Sequence, residues 1–153
     1  MKTRTRKTNS ARTRKTRGGI KASVTQSSFD SIMKKMLETL NLVRLYHWNT
    51  LSYATHKATD DLYGSLSDQI DTYAETMIGK SNGKYRIKMS NYKTLKIDGV
   101  SNNAAIIKCV KRFIADLYKF HSNLPSDEYS DIHNIRDEIV GTLNKFLYLL
   151  TLK

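Results

Sequence analysis

Four stretches of this chain carry apolar residues at steps of three and four, and that spacing limits the fold more than any other feature. Such steps keep side chains on one face of a helix, whereas a half-buried strand needs a period of two. The first series is Phe29, Met33, Met36, Leu40, Val43 and His47, with Ser27 or Ser28 placed to cap its start. The second, predicted over about residues 55–78, is Ala58, Leu62, Leu66, Ile70, Tyr73 and Met77, with Gly79 placed to end it. A third seam reads Ile106, Val110, Phe113 and Leu117. The fourth reads Ile132, Ile135, Ile139, Leu143, Phe146 and Leu150.

The connections set the expected topology. Residues 51–54 and the stretch around Leu124, Pro125 and Ser126 are short links, which favour antiparallel neighbours. The middle connection, about 80–101, is long and basic, and a crossover of that kind joins the second and third helices in ferritin-like bundles. Within it the Tyr85–Ile97 stretch reads equally as a short hairpin or a helix. No βαβ pattern or internal repeat is present. The expectation is an all-α, ferritin-like four-helix domain over 26–153 behind a basic arm over 1–25.

The arm holds most of the net charge of +12. It contains nine basic residues, Lys2, Arg4, Arg6, Lys7, Arg12, Arg14, Lys15, Arg17 and Lys21, and no acid, so the remaining 128 residues carry only +3. With almost nothing apolar before Ile20 it cannot offset its ordering entropy, and disorder in the unbound state is expected. A segment of this composition suits a polyanion, and these nine residues are the expected DNA contacts. A mitochondrial transit peptide would need an apolar helical face that the arm lacks. An ordinary secretory signal would need an apolar core it also lacks. No run of 18 apolar residues exists, so no membrane span is expected. The single cysteine, Cys109, reads as a buried thiol and fits a reducing compartment.

The chemistry is concentrated in HWNTLSYATHKATDDLYGSLSDQIDTYAE, from His47 to Glu75. His56 and Asp60 are spaced i,i+4, and so are Asp71 and Glu75, which puts each pair on one helix face. Imidazole with carboxylate is a ligand set for iron, manganese or zinc. Asp60 and Asp71 point the same way but lie roughly 16 Å apart along the axis, at about 1.5 Å per residue. One copy cannot close a site from both pairs. Two antiparallel copies about a two-fold axis could, and would generate two identical sites.

These motifs resemble the Dps-type mini-ferritins. His47-Trp48-Asn49 matches the family's run closing the first helix, His56 and Asp60 its second element, and Asp71 and Glu75 its third. DEIVGTLNKFLYLL is similar to the family's closing segment. The resemblance implies an iron-oxidising centre in which His47, His56 and Asp60 bind iron from one subunit and Asp71 and Glu75 complete the site from the other. It also implies a homo-oligomer, from a two-fold dimer up to a dodecameric shell, and a basic arm that binds DNA. The link from Trp48 to His56 is shorter than the family's usual loop and lacks its Gly-Pro turn. The first helix carries only Glu38 after Asp30, so iron storage is less secure than iron binding. The short loop is similar to that of ferritin-like proteins of large DNA viruses.

Singly, each residue has an ordinary explanation: a core histidine, a first-turn ion pair, a solvated acidic face. Five candidate ligands in register favour a metal site. Trp48 reads as interface packing, with a secondary role beside iron. His133 and Asp137, another i,i+4 pair, are read as surface residues, because an intrasubunit di-iron core would need a Glu-x2-His signature. Two function classes follow. The first is a ferroxidase that binds and protects DNA, inside a cell on nucleoid or chromatin, or within a virus particle. The alternative is a non-catalytic nucleic-acid packaging or virion structural protein.

Overall fold

The computed structural model describes residues 24–152. The nine basic residues of the arm, its expected disorder and its DNA contacts lie outside them. Four α-helices and one 3-10 turn make up the described chain, with no strand among the described residues: α1 (Gln26–Asn49), α2 (Tyr53–Lys80), the turn Met89–Tyr92, α3 (Asn103–His121) and α4 (Ser130–Leu149).

The helices start where their caps dictate. Thr25, not Ser27 or Ser28, is the N-cap of α1: its hydroxyl accepts the Ser28 N–H while Ser28 Oγ accepts the Thr25 N–H, a reciprocal capping box. Ser52 Oγ accepts the Thr55 N–H at the start of α2, and Asn102 Oδ1 accepts the Ala105 N–H at the start of α3. At its far end α2 continues through Gly79. The reversal comes at Asn82 (φ 51°) and Gly83 (φ 77°). There the Asn82 and Gly83 N–H groups reach back to the carbonyls of Gly79 and Ile78, a Schellman arrangement that needs left-handed backbone.

The apolar seams meet in one core. All six expected residues of α2 and all four of α3 are buried, and on α1 Ile32, Leu42 and Tyr46 join the expected set. Leu40 of α1 and Ile135 and Leu150 at α4 are only partly buried against the core. α2 packs on α1 and α4, and α3 packs on the same two helices, so α2 and α3 occupy opposite corners of the bundle.

The 81–102 segment lies along α1. Gln26 exchanges hydrogen bonds with the Arg86 backbone, Asp30 accepts from Asn91 and Tyr92, and Glu38 accepts the Lys96 N–H at 2.7 Å. Tyr46 Oη then donates to Asn103 Oδ1 at 2.6 Å, so α3 begins beside the last turn of α1. Cys109 departs from its expected burial. It is half-buried against this segment, its thiol directed at Asp98, which also pairs with Arg112. Among the described residues no helix is long and apolar enough to cross a membrane.

Candidate metal centre

The link between α1 and α2 is only three residues, Thr50 to Ser52, so the last turn of α1 is held against the first turn of α2. That closeness brings His47 and His56 face to face, with ring centroids 3.9 Å apart and planes 24° from parallel. Each ring is fixed by the other's backbone. His47 Nδ1 lies 3.1 Å from the His56 carbonyl oxygen, and His56 Nδ1 lies 3.2 Å from the His47 carbonyl oxygen. A carbonyl only accepts, so both Nδ1 atoms carry protons and donate. In the neutral rings both Nε2 atoms are therefore lone-pair donors, the tautomer found in metal-ligating histidines. Thr59, fully buried, steadies the arrangement. Its one hydroxyl proton is shared between the Thr55 and His56 carbonyls, and its oxygen accepts from His47 Nδ1 at 3.2 Å.

The carboxylates stand apart from this pair. Asp60 is exposed and faces Lys57 at 3.6 Å, and Asp71 and Glu75 are exposed further along α2. Among the described residues no group of three or more histidine, cysteine or acidic side chains is gathered tightly enough to hold an ion. Within one copy, then, His47 and His56 come together while Asp60, Asp71 and Glu75 do not join them.

Several large apolar side chains close to the histidines in sequence are exposed: Trp48, at 62%, with Leu45, Leu51 and Tyr53. The Arg44 guanidinium sits 5.0 Å from the Trp48 ring and 5.1 Å from that of Tyr63, and donates to the Tyr63 hydroxyl. Trp48 thus packs on a cation and not in the core of its own chain.

At the opposite end of the bundle, sequence reasoning missed a residue. His121 is fully buried; its Nδ1 donates to the Leu117 carbonyl at 2.6 Å and its Nε2 faces the Tyr73 hydroxyl at 3.2 Å. Burial pushes its pKa down to about 4. Four residues beyond Leu117, it continues the α3 seam, and that spacing was the available signal. His133, expected at the surface, is half-buried: its Nε2 donates to the Leu124 carbonyl and its ring lies 5.7 Å from that of His121. Asp137 faces Arg136 at 2.7 Å.

The family of unknown function DUF5856 matches residues 47–150, from the first of these histidines to the end of α4. A protein of Enterobacteria phage T4, described as an uncharacterized 14.6 kDa protein in the mobD-ri intergenic region, is 31% identical over 107 residues. The match covers 70% of this chain and 75% of the phage protein. No solved structure matches the chain.

Proposed function

This chain belongs to the family of unknown function DUF5856, and we propose that it is a Dps-type protein that binds and oxidises iron and also binds DNA without sequence preference. The histidine pair carries the metal half of this reading. Two imidazoles held by each other's carbonyls, with both Nε2 atoms left as donors, have an orientation that a purely structural stacking pair does not require. Near-parallel rings suit one ion on each better than two bonds to a single ion. Asp71 and Glu75 of a second copy, packed antiparallel along α2, supply the carboxylates that this copy's histidines lack.

Iron is the substrate of such a site, with manganese or zinc as alternative occupants of the same donor set. Two Fe(II) ions each give up one electron, and hydrogen peroxide takes two electrons and two protons to leave as two waters. Dioxygen is the alternative oxidant. The ferritin-like topology belongs to the same reading. Because the 81–102 segment follows α1 from Gln26 to Tyr46, α2 and α3 run the same way and the segment acts as the long crossover.

The nucleic-acid half rests on the nine basic residues of the arm and is in keeping with a relative from a phage. A second reading, a non-catalytic packaging or virion protein, draws on the pairing of Asp60 with Lys57 instead of with the histidines. Stopped-flow oxidation of Fe(II) by purified full-length protein separates them. Asp71→Asn should abolish oxidation and His56→Ala should slow it, while His133→Ala leaves it near the wild-type rate. Oxidation at the wild-type rate in both of the first two variants would remove the site assignment.

A further inference from the structure

The fold sorts charge onto two faces. Among the described residues, α1, the 81–102 segment and α3 together hold twelve basic and four acidic residues. In contrast α2, the 122–129 link and α4 hold four basic and ten acidic residues. Nothing in the bundle's packing requires this division, because these side chains lie outside the core.

The basic residues on the first face are largely uncompensated. Lys84, Arg86, Lys88, Lys93 and Lys96 are all exposed, and none takes part in an ion pair among the described residues. Lys108 and Lys111 on α3 are likewise exposed and unpaired, next to the Arg112–Asp98 bridge that joins α3 to the segment. Asp30 and Glu38, the acids of α1, are turned to hydrogen-bonding the segment itself. The charged row follows α1 from Gln26 to Glu38, about 18 Å at about 1.5 Å per residue, and then passes onto α3.

We infer that this face of the folded domain is a second binding surface for duplex nucleic acid, separate from the arm. A row of that length spans roughly ten phosphates of a duplex, which carries one charge per about 1.7 Å. The chain also enters the domain on this face: the Val24 carbonyl accepts the Tyr85 hydroxyl at 2.7 Å, directly beside Lys84 and Arg86. One polyanion can therefore engage the arm and the row together. Ile87 and Met89 are exposed among the lysines, which makes an anionic lipid surface the competing partner to be tested.

The inference deepens the nucleic-acid half of the proposed function and takes the identity of the polyanion from it. The test uses full-length protein with the arm intact, a fluorescent duplex and a salt titration. Changing Lys88, Lys93, Lys108 and Lys111 to Gln should flatten the slope of log K against log salt by about 3 to 4, at about 0.9 per phosphate contact. The milder pair Lys93→Gln and Lys111→Gln should flatten it by about 2. Lys57→Gln with Lys145→Gln, on the acidic half, should leave it unchanged.

An unchanged slope in the four-fold variant overturns the surface while leaving DNA binding by the arm in place. No binding by the intact chain ends both readings. An equal loss per residue from Lys57 and Lys145 shows that the face has no special role. Loss of binding to phosphatidylserine vesicles with an unchanged DNA slope assigns the row to membranes and overturns the inference.

Discussion

His121 uses both ring nitrogens inside the bundle, donating to Leu117 and facing the Tyr73 hydroxyl. It has no donor left for a ligand. Burial is the main reason its pKa falls from 6.5 to about 4; Arg136 and His133 add to the fall, while the Leu117 carbonyl and Asp137 oppose it. Between those two values the unfolded chain binds a proton that the folded chain refuses. Stability from this group is therefore complete above about pH 6.5 and is lost as pH falls toward 4. At pH 5 the loss is about 2 kcal/mol, at about 1.36 kcal/mol per pKa unit. Urea unfolding at pH 7 and pH 5 should show that drop in wild type, and a much smaller one in His121→Gln. His47 sits on a seam with the same spacing, yet its Nε2 is not the atom that is bonded. Sequence spacing does not separate these two cases. The difference arises because Thr50–Ser52 is short enough to press one helix end against the next, whereas His121 lies inside the bundle against Tyr73.

The four helices were readable because each buries a seam of period 3.6, and Leu66, Val110 and Leu143 are fully buried where that period puts them. Helix ends were less readable, since they depend on side-chain caps whose geometry spacing does not encode. Gly79 needs no special backbone and stays helical, while Asn82 and Gly83 take the left-handed positions. The 81–102 segment was unreadable for a different reason: it is anchored by α1 side chains distant in sequence, which pair with the backbone of Arg86 and Lys96. Asp30 is central to that attachment, accepting from Gln26, Asn91 and the half-buried Tyr92. Asp30→Ala should lower stability by about 1–3 kcal/mol, because it removes hydrogen bonds made to a carboxylate. Faster amide exchange along residues 85–96, seen by mass spectrometry, should accompany it. Leu66→Ala should instead cost about 2–5 kcal/mol without selectively loosening the segment, because it opens a cavity in the core.

At the scale of the molecule, the proposed shared site carries a prediction about assembly, because one copy brings His47 and His56 together with none of the proposed carboxylates beside them. The exposed Leu45, Trp48, Leu51 and Tyr53 would be covered by a neighbour, and the same contact would bring Asp71 and Glu75 toward foreign histidines. Light scattering should find at least a dimer, and Trp48→Glu should shift it toward monomer and slow iron oxidation together. A strict monomer in wild type at every salt concentration sinks the shared site. Under the proposed function assembly would also strengthen DNA binding, because several arms on one particle would act with high effective concentration. Thr25 fixes where the arm can be cut: removing 1–23 takes all nine basic residues and keeps the capping box of α1, whereas removing 1–25 would also unravel the first turn. Full-length protein should bind duplex DNA with a log K against log salt slope steeper by about 6 to 8 than the 1–23 deletion, if most of the nine engage phosphates. Iron oxidation by the deletion variant should equal that of the intact chain, since every residue of the proposed centre lies at or beyond His47. Equal slopes for the two proteins would move DNA contact off the arm and onto the folded domain alone.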